Sequence, residues 1–302
     1  MKNVLVTGGT GFIGSRVCDA LHEKDYVVQV VSRDPARAKT KLQSVQEIYT
    51  WNPETEQLPS EAISDVQAVI HLAGESIAGR WNAEKKRRIR DSRILSTQNL
   101  VASFADAEIK PDVLVCASAI GLYGDSGDES FTEESPTGAD FLAEVCQEWE
   151  TESHKASEYG IRVVSVRIGL VLGLGGGLLE RVLPPFKMGV GGKLGSGNQW
   201  MSWIHVDDVV GIVMHALENE NISGALNATA PTPVRNIEFT KTLGAVLRKP
   251  AIFPVPAFGL KLIMGEFADF VVLSQNVLPE KTEASGYEFQ HRTLESALKD
   301  LL

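Results

Sequence analysis

Apolar and polar residues alternate in a regular way over the first thirty positions of the chain. Val4-Leu5-Val6 is a short apolar run, which is typical of a buried β-strand. A glycine-rich turn follows, and apolar residues then recur at helical spacing until the polar stretch Glu23-Lys24-Asp25. A second apolar run covers Val27 to Val31. The pattern predicts a strand, a helix and a second strand within about thirty residues, the length of one right-handed βαβ unit.

The same alternation continues to residue 168. It predicts further strands over 46–51, 68–72, 113–118 and 162–167, long helices over 83–105 and 141–158, and a short basic loop or helix over 35–41. Strands that alternate with helices in this way form parallel sheets covered by helices on both faces. The predicted fold is therefore α/β, a Rossmann-type doubly wound parallel sheet whose ligand lies at the carboxyl ends of the strands.

The character of the chain changes after Gly169. Two glycine-rich stretches, Gly173 to Gly177 and Gly189 to Gly197, flank Pro184-Pro185-Phe186, and the segments beyond them are shorter and interrupted by proline. We predict a dinucleotide-binding Rossmann domain over 1–168 and a smaller, partly intertwined substrate-binding lobe over 169–302. The glycine stretches are either flexible connections or parts of a lid.

Composition and charge narrow the class of protein. The 302 residues are 43% hydrophobic and 23% charged, as in ordinary soluble domains, and no apolar run is long enough for a membrane span. The net charge of −10 argues against a nucleic-acid partner, which requires a basic footprint. The basic run Lys85 to Arg90 is a local exception, and it is either a solvated helix face or a surface that steers phosphates.

The cysteines and the amino terminus bear on the compartment. Cys18, Cys116 and Cys146 are widely spaced and form no C-x-x-C motif, a usage that is typical of a reducing environment and offers no metal site. The amino terminus lacks the charged segment, apolar run and cleavage site of a secretory signal. We expect a cytoplasmic protein that binds neither a metal nor a membrane.

The turn Thr7-Gly8-Gly9-Thr10-Gly11-Phe12-Ile13-Gly14 carries the most specific chemistry of the chain. Gly8 and Gly9 permit a tight turn, and Gly14 lets the helix pack on the sheet. Gly11 lets the backbone approach a pyrophosphate because it has no Cβ, and the helix start that follows presents unpaired N–H groups to the phosphates. The combination predicts a dinucleotide site; the alternative is a glycine-rich turn without a ligand.

The end of the second predicted strand bears on the type of dinucleotide. An acidic residue at this point accepts hydrogen bonds from the adenosine ribose and repels a 2′-phosphate. Here the strand ends in Ser32-Arg33, and arginine binds phosphate bidentately while staying charged. The pair favours NADP(H) over NAD(H), although Asp34 follows directly and Arg33 is also explained as an ordinary exposed residue.

Several motifs occur together in the order seen in one known family. They are Thr7-Gly8-Gly9-Thr10-Gly11-Phe12-Ile13-Gly14, His71-Leu72-Ala73-Gly74, Ser118-Ala119-Ile120-Gly121-Leu122-Tyr123-Gly124, Arg167-Ile168-Gly169 and Trp203-Ile204-His205-Val206-Asp207-Asp208-Val209. The chain resembles over its whole length the extended short-chain dehydrogenases/reductases, in the NAD(P)-dependent epimerase/dehydratase branch. Arg80-Trp81-Asn82 and the glycine-rich stretch before Pro184 narrow the resemblance to the atypical, YfcH-like "epimerase family protein" group.

The resemblance implies two neighbouring binding sites. The residues that it assigns to NADP(H) are Gly8, Gly9, Thr10, Gly11, Phe12, Ile13, Ser32, Arg33, Leu72, Ala73, Gly74 and Arg93. It implies a pocket for a small-molecule substrate between the lobes, near Ser118, Tyr123, Arg167 and His205, although the sequence after His205 is also typical of a helix start. We expect a monomer, or a homodimer joined through the helices over 83–105 and 141–158, as is common among relatives.

Chemistry in this family normally depends on a tyrosine with a lysine four residues later, because the lysine lowers the pKa of the phenol. This chain has no such pair: the residues four positions after its tyrosines are Val30, Pro53, Gly127, Val163 and His291. The usual hydroxyl position falls on Ala119, with Ser118 one residue early. The catalytic residues are therefore unknown. Glu144, Glu148 or Tyr123 can move a proton only if the environment shifts its pKa, and each is otherwise structural.

Two functions are compatible with these features. The first is an NADP(H)-dependent oxidoreductase or epimerase that acts on a small or nucleotide-linked carbonyl or hydroxyl compound. The second is a non-catalytic module that binds NADP(H) and senses redox state. The predicted substrate lobe favours the enzyme, since a sensor has less need of an enclosed pocket, whereas the missing tyrosine and lysine favour the sensor.

Overall fold

The computed structural model describes residues 2–302, apart from the side chains of Ala257 and Ile263. The strands are, in chain order, β1 (Asn3–Thr7), β2 (Val27–Ser32), β3 (Glu47–Thr50), β4 (Ala68–His71), β5 (Val113–Ala119), β6 (Ser130–Phe131), β7 (Arg162–Ile168), β8 (Leu170–Leu172), β9 (Trp200–Met201), β10 (Trp203–His205), β11 (Gly224–Ala228), β12 (Val234–Arg235) and β13 (Asn276–Val277). The helices are α1 (Phe12–Glu23), α2 (Pro35–Lys41), α3 (Ser60–Ile63), α4 (Ala83–Asp106), α5 (Phe141–His154), α6 (Leu179–Lys187), α7 (Val206–Glu218), α8 (Asn236–Leu247), α9 (Ala257–Met264), α10 (Phe267–Val271), α11 (Glu280–Ala284) and α12 (Leu294–Leu301). Among residues 2–302, no helix combines the length and the apolar character needed to cross a lipid bilayer.

A parallel sheet of seven strands forms the centre of the molecule. Its spatial order is β11-β7-β5-β4-β1-β2-β3, and each neighbouring pair runs parallel. The chain order runs outward in both directions from the β1 and β4 pair, where Thr7 lies opposite His71. Open α/β sheets bind their ligands beyond the carboxyl ends of the strands at such a reversal point. The predicted Rossmann-type doubly wound sheet is confirmed.

The apolar strands are buried on both faces of this sheet. Val4 and Val6 of β1 pack in a core with residues of α1 and α7, whereas Leu5 packs in a second core with residues of α4. Successive side chains of a strand point to opposite faces. A strand that is covered on both faces is therefore apolar at consecutive positions, which explains the run Val4-Leu5-Val6.

The chain beyond residue 169 contributes to more than one part of the molecule. β11 completes the edge of the central sheet, with Ala228 opposite Ile168 of β7, and α7 packs beside α1. A separate core forms among residues of α6, α8 and α12. Residues beyond 168 therefore belong partly to the central sheet and partly to this separate core. The division into 1–168 and 169–302 stays a prediction.

A buried histidine connects the two central strands to α4. In His71, which ends β4, Nδ1 lies 2.7 Å from Thr7 Oγ1 and Nε2 lies 3.1 Å from Thr97 Oγ1. Thr97 donates its own hydroxyl proton to the Arg93 carbonyl at 2.7 Å, so it accepts the proton of His71 Nε2. Thr7 then donates to Nδ1 and accepts from the Ala73 N–H at 3.3 Å. Burial lowers the pKa of His71 to about 3, so the ring is neutral.

We expect His71→Gln to lower the free energy of unfolding near neutral pH by about 1–3 kcal/mol, because buried hydrogen bonds are lost. Below about pH 6.5 the wild type should lose this advantage by about 1.4 kcal/mol per pH unit. The reason is that the unfolded wild type gains a proton at this position, whereas folded His71 stays neutral until the pH approaches about 3. Urea-unfolding curves of both proteins between neutral and mildly acidic pH measure the difference.

His22→Gln is the matched control, because His22 is an exposed histidine near the end of α1. It should follow the wild type over the whole pH range. A constant difference between wild type and His71→Gln at all pH values would contradict the neutral, buried state of His71.

Candidate functional site: a dinucleotide cleft and a buried ion pair

The glycine turn after β1 leaves no room for side chains on one side. Gly8 has a φ of +71°, and a Cβ on it would lie 2.7 Å from the Leu72 carbonyl carbon and oxygen. A Cβ on Gly14 would lie 2.2 Å from the Gly8 carbonyl oxygen. The turn is therefore pressed between the end of β4 and the start of α1, as the sequence predicts for the tight turn and for helix packing.

Gly11 lies on the opposite, open side of this turn. A Cβ on Gly11 would meet only the Gly8 oxygen, at 3.1 Å. Gly11 is also the N-cap of α1, which has no side-chain cap and no acidic residue in its first turn. Since the first N–H groups of a helix lack intrahelical acceptors, those of Phe12 and Ile13 are available to an anion. The residues present fit a dinucleotide pyrophosphate.

The Phe12 side chain has a separate structural role. A Cβ on Gly176 would lie 2.4 Å from the Phe12 ring, so the glycine stretch 173–177 packs directly on that ring. Arg16 covers the same ring at 4.5 Å from its centroid and donates to the Leu174 carbonyl at 2.9 Å. The Phe12 ring therefore holds this glycine stretch beside the turn.

The end of β2 presents one exposed cation. Ser32 Oγ bonds the backbone of Asp34 at 3.2 Å, and the Asp34 carboxylate caps α2 by accepting the Arg37 N–H at 3.0 Å. Asp34 is thus committed to the helix start, while Arg33 is exposed. The acidic residue that opposed the NADP(H) prediction has a structural explanation.

Further cations lie near the same end of the sheet. A hydrogen bond from Lys85 lowers the pKa of Glu75, and the charges of Arg88 and Arg33 lower it further. Arg33 and Arg88 therefore act on one carboxylate beside the strand ends. Other cations of the basic run are in surface pairs: Lys86 with Glu266, Arg87 with Asp91 and Arg90 with Glu148. Most of the run is therefore a solvated helix face, and the charge of Arg88 acts on Glu75.

Arg93 supports the loop that follows β4. Its Nη1 donates to the Glu75 carbonyl at 3.0 Å and to the Ile89 carbonyl at 3.0 Å. A Cβ on Gly74 would lie 3.4 Å from the Arg93 Cζ, and the guanidinium lies 5.1 Å from the centre of the Trp149 ring. Arg93 therefore supports the end of the Leu72-Ala73-Gly74 segment through its contacts with Gly74 and Glu75.

Trp81 fastens the same loop to later parts of the chain. Its indole N–H donates to the Ile77 carbonyl at 2.6 Å. The indole contacts three aromatic rings, with centroids 5.5 Å away for Phe141, 5.3 Å for Phe267 and 4.8 Å for Phe270. This cluster joins the loop after β4 to α5 and α10. The structural role of the Arg80-Trp81-Asn82 motif is thus the packing of Trp81.

Three of the predicted substrate residues meet around a carboxylate that sequence reasoning missed. Arg167 forms a bidentate pair with Glu150, through Nε to Oε1 and Nη2 to Oε2, both at 2.9 Å. Ser118 donates to Glu150 Oε1 at 2.6 Å. Arg167 Nη1 donates to the Tyr123 hydroxyl at 2.8 Å. One available signal was helical spacing, since Glu150 follows the buried Cys146 by one helical turn and shares its face of α5.

The network extends to the edge of the central sheet. The Tyr123 hydroxyl donates to Asn227 Oδ1 at 2.7 Å, and the Asn227 N–H donates to Glu133 Oε1 at 2.9 Å. Glu133 also accepts from Lys281 N–H at 3.1 Å. Burial raises the pKa of Tyr123. These groups satisfy one another, and Asn227 and Glu133 had no pattern in the sequence that marked them.

The three candidate proton carriers are either buried in the network or exposed on the surface. Tyr123 is 2% exposed and is held in the network. Glu144 is exposed, and the Glu148 side chain is 42% exposed in its pair with Arg90. His205, the fourth predicted pocket residue, accepts the Asp207 N–H at 3.1 Å and so starts α7, as the alternative interpretation of its sequence proposed.

Comparisons with known proteins identify the family of the chain. A family model described as the NAD dependent epimerase/dehydratase family matches residues 4–228. The chain belongs to this family. A second model, described as a domain of unknown function (DUF1731), matches residues 255–301. The predicted membership of the epimerase/dehydratase branch is confirmed.

Similar proteins extend over nearly the whole chain. The "Epimerase family protein SDR39U1 homolog, chloroplastic" of Arabidopsis thaliana is 42% identical over 308 residues, covering 99% of this chain and 86% of that protein. The "Epimerase family protein YfhF" of Bacillus subtilis is 38% identical over 301 residues, covering 99% and 98%. A crystal structure of human epimerase family protein SDR39U1 with NADPH is 34% identical, with a TM-score of 0.88 over 99% of this chain and 98% of that one. UDP-glucuronic acid 4-epimerase from Bacillus cereus, at 19% identity and a TM-score of 0.80 over 99% and 97% of the two chains, shares the fold.

We expect Glu150→Gln to lower the free energy of unfolding by about 2–4 kcal/mol, because it leaves Arg167 buried without its counter-charge. The side chains of the pair are only 11% and 18% exposed. Urea unfolding at neutral pH measures the loss.

Glu148→Gln tests the same substitution on the same helix in an exposed pair, so its cost should be within about 1 kcal/mol. Equal losses in the two variants would show that the Arg167 pair contributes no more than a surface contact.

Proposed function

We propose that the protein binds NADP(H) at the carboxyl ends of β1, β2 and β4 and acts as an oxidoreductase on a small or nucleotide-linked carbonyl or hydroxyl compound. The observation that carries the proposal is the open side of the glycine turn, where Gly11 and an uncapped helix start leave a cradle for a pyrophosphate. The NADPH in the structure of the human relative supports the same choice of cofactor.

Each residue of the cleft then has a defined task. The N–H groups of Phe12 and Ile13 bind the pyrophosphate. Arg33 binds the 2′-phosphate, because a guanidinium pairs with phosphate oxygens bidentately. Arg93 positions the loop after β4 against the cofactor.

The chemistry that NADP(H) supplies when bound is hydride transfer. The chain lacks the tyrosine and lysine pair that moves the accompanying proton in the family, and Tyr123, Glu144 and Glu148 do not replace it in an open cleft. We infer that the substrate exchanges its proton with water. Epimerisation through a keto intermediate requires a positioned acid and base, so the family name does not describe the expected reaction.

A non-catalytic NADP(H) sensor is the second candidate. It is favoured by the network around Glu150, because Ser118, Tyr123 and Arg167 use their polar groups on one another. An enclosed substrate pocket that needs them for binding would have to break a buried ion pair, which is costly.

Oxidation of NADPH by the purified protein, followed against a panel of aldehydes, ketones and quinones, separates the two functions. Turnover above the rate without protein, with at least one compound, is the expected result. NADPH binding with no turnover on any compound would favour the sensor, and absence of NADPH binding would overturn both.

We expect Arg33→Asp to weaken NADPH binding at least about tenfold, the loss expected for one charge-assisted phosphate contact. NADH binding should change much less, since NADH has no 2′-phosphate. Isothermal titration calorimetry with both nucleotides measures the two affinities.

Arg37→Asp is the matched control, because it makes the same change of charge on the exposed face of α2. It should affect NADPH only slightly. If Arg33→Asp weakens NADPH and NADH equally, Arg33 does not recognise the 2′-phosphate.

A further inference from the structure

Four residues with metal-binding side chains converge outside the dinucleotide cleft. His205 ends β10, Asp207 lies in the first turn of α7, His291 precedes α12, and Asp300 lies in the last turn of α12. One potential ligand atom from each lies within 4.8 Å of the others. No motif marks them in the sequence, since they are spread between residues 205 and 300, and so no metal is predicted from the sequence alone.

One of these side chains is buried with a polar atom that has no partner. His205 is 1% exposed, and within residues 2–302 its Nε2 has no hydrogen-bond partner. This atom faces Asp300 Oδ2 at 3.4 Å, and the His291 ring lies beside it with centroids 3.9 Å apart. An unpaired buried polar atom costs about 1–3 kcal/mol, and native proteins rarely keep one without a reason.

We propose that His205, His291 and Asp300 bind a divalent transition-metal ion, with zinc as the expected ion. Two imidazoles and a carboxylate are ligands that zinc prefers, whereas magnesium and calcium prefer oxygen alone. In a tetrahedral zinc site with bonds of about 2.0–2.1 Å, neighbouring ligand atoms lie about 3.3 Å apart. The distance of 3.4 Å between His205 Nε2 and Asp300 Oδ2 is close to this separation.

Asp207 is placed to orient the His205 ring. Its Oδ2 lies 3.6 Å from His205 Nδ1, which is longer than a hydrogen bond. A shift of a few tenths of an ångström brings this carboxylate within reach of the free N–H of a metal-bound histidine. Without metal, Nδ1 accepts the Asp207 backbone N–H at 3.1 Å, so the ring proton is on Nε2. Metal binding moves this one proton to Nδ1, where the Asp207 carboxylate accepts it, and the Nε2 lone pair becomes the ligand. The Asp207 backbone N–H then loses the imidazole as its acceptor, so the metal–ligand bonds replace this N-cap hydrogen bond.

The site joins two separate regions of the chain. His205 and Asp207 belong to the segment matched by the epimerase/dehydratase model, residues 4–228. His291 and Asp300 belong to the segment matched by the domain of unknown function, residues 255–301. A bound ion would therefore fasten the carboxyl-terminal helix to the start of α7. Its role is structural, because a metal that binds only the folded chain stabilises it by mass action.

Zinc binding to the full-length, untagged protein tests the proposal directly. After treatment with a chelator, the protein should bind one equivalent of Zn²⁺ in calorimetry and retain it through gel filtration, as measured by elemental analysis. Its melting temperature should rise with Zn²⁺ and stay unchanged with Mg²⁺. Co²⁺ in place of Zn²⁺ should give the visible absorption of a tetrahedral site.

His291→Gln and Asp300→Asn should each weaken Zn²⁺ binding at least tenfold and abolish the rise in melting temperature. Both positions are partly or well exposed, so both variants should fold. Glu295→Gln is the control, because Glu295 is an exposed carboxylate on the same helix that pairs with Lys299. The proposal is overturned if the wild type binds no stoichiometric Zn²⁺, or if His291→Gln and Asp300→Asn bind it as the wild type and the control do.

Discussion

The rest of the cleft depends on the close approach of the glycine turn to the end of β4. Gly8 lies so near the Leu72 carbonyl that any side chain would collide with it, and a side chain on Gly14 would collide with the Gly8 carbonyl. These two contacts fix the distance between β1 and β4 and the direction in which α1 leaves the sheet. The open face at Gly11, the uncapped helix start and the position of the Ala73-Gly74 loop all follow from them. In the proposed dinucleotide site, backbone groups bind the pyrophosphate and side chains supply the selectivity.

The buried pair of Arg167 and Glu150 is the second organising interaction. It connects β7 to α5, and through Ser118 and Tyr123 it also holds β5 and the turn that follows it. The resemblance to the family places a tyrosine and a lysine on α5, but this helix presents Cys146 and Glu150 to the interior instead. The helix therefore contributes a structural ion pair where the resemblance implies a pair for proton transfer. This difference is the physical reason for proposing hydride chemistry without a proton relay.

The sequence was sufficient for the central sheet and for the dinucleotide turn, because both depend on local patterns. Val4-Leu5-Val6 marks a strand buried on two faces, and the spacing of Gly8, Gly11 and Gly14 marks a turn with fixed mechanical needs. The network at Glu150 could not be predicted with the same certainty. Its members, among them Glu133 and Asn227, are far apart in the chain, and a single glutamate on a helix does not reveal which partner it meets. The roles of Trp81 and of the His205 cluster likewise depend on contacts with residues that are distant in the chain, such as Phe270 for Trp81 and Asp300 for His205.

A crystal structure of the protein grown with NADPH would test the central claim most directly. We predict that the pyrophosphate lies within hydrogen-bond distance of the Phe12 and Ile13 N–H groups over Gly11, and that the 2′-phosphate contacts Arg33. Electron density for the nucleotide elsewhere, or a 2′-phosphate directed away from Arg33 into solvent, would contradict the account.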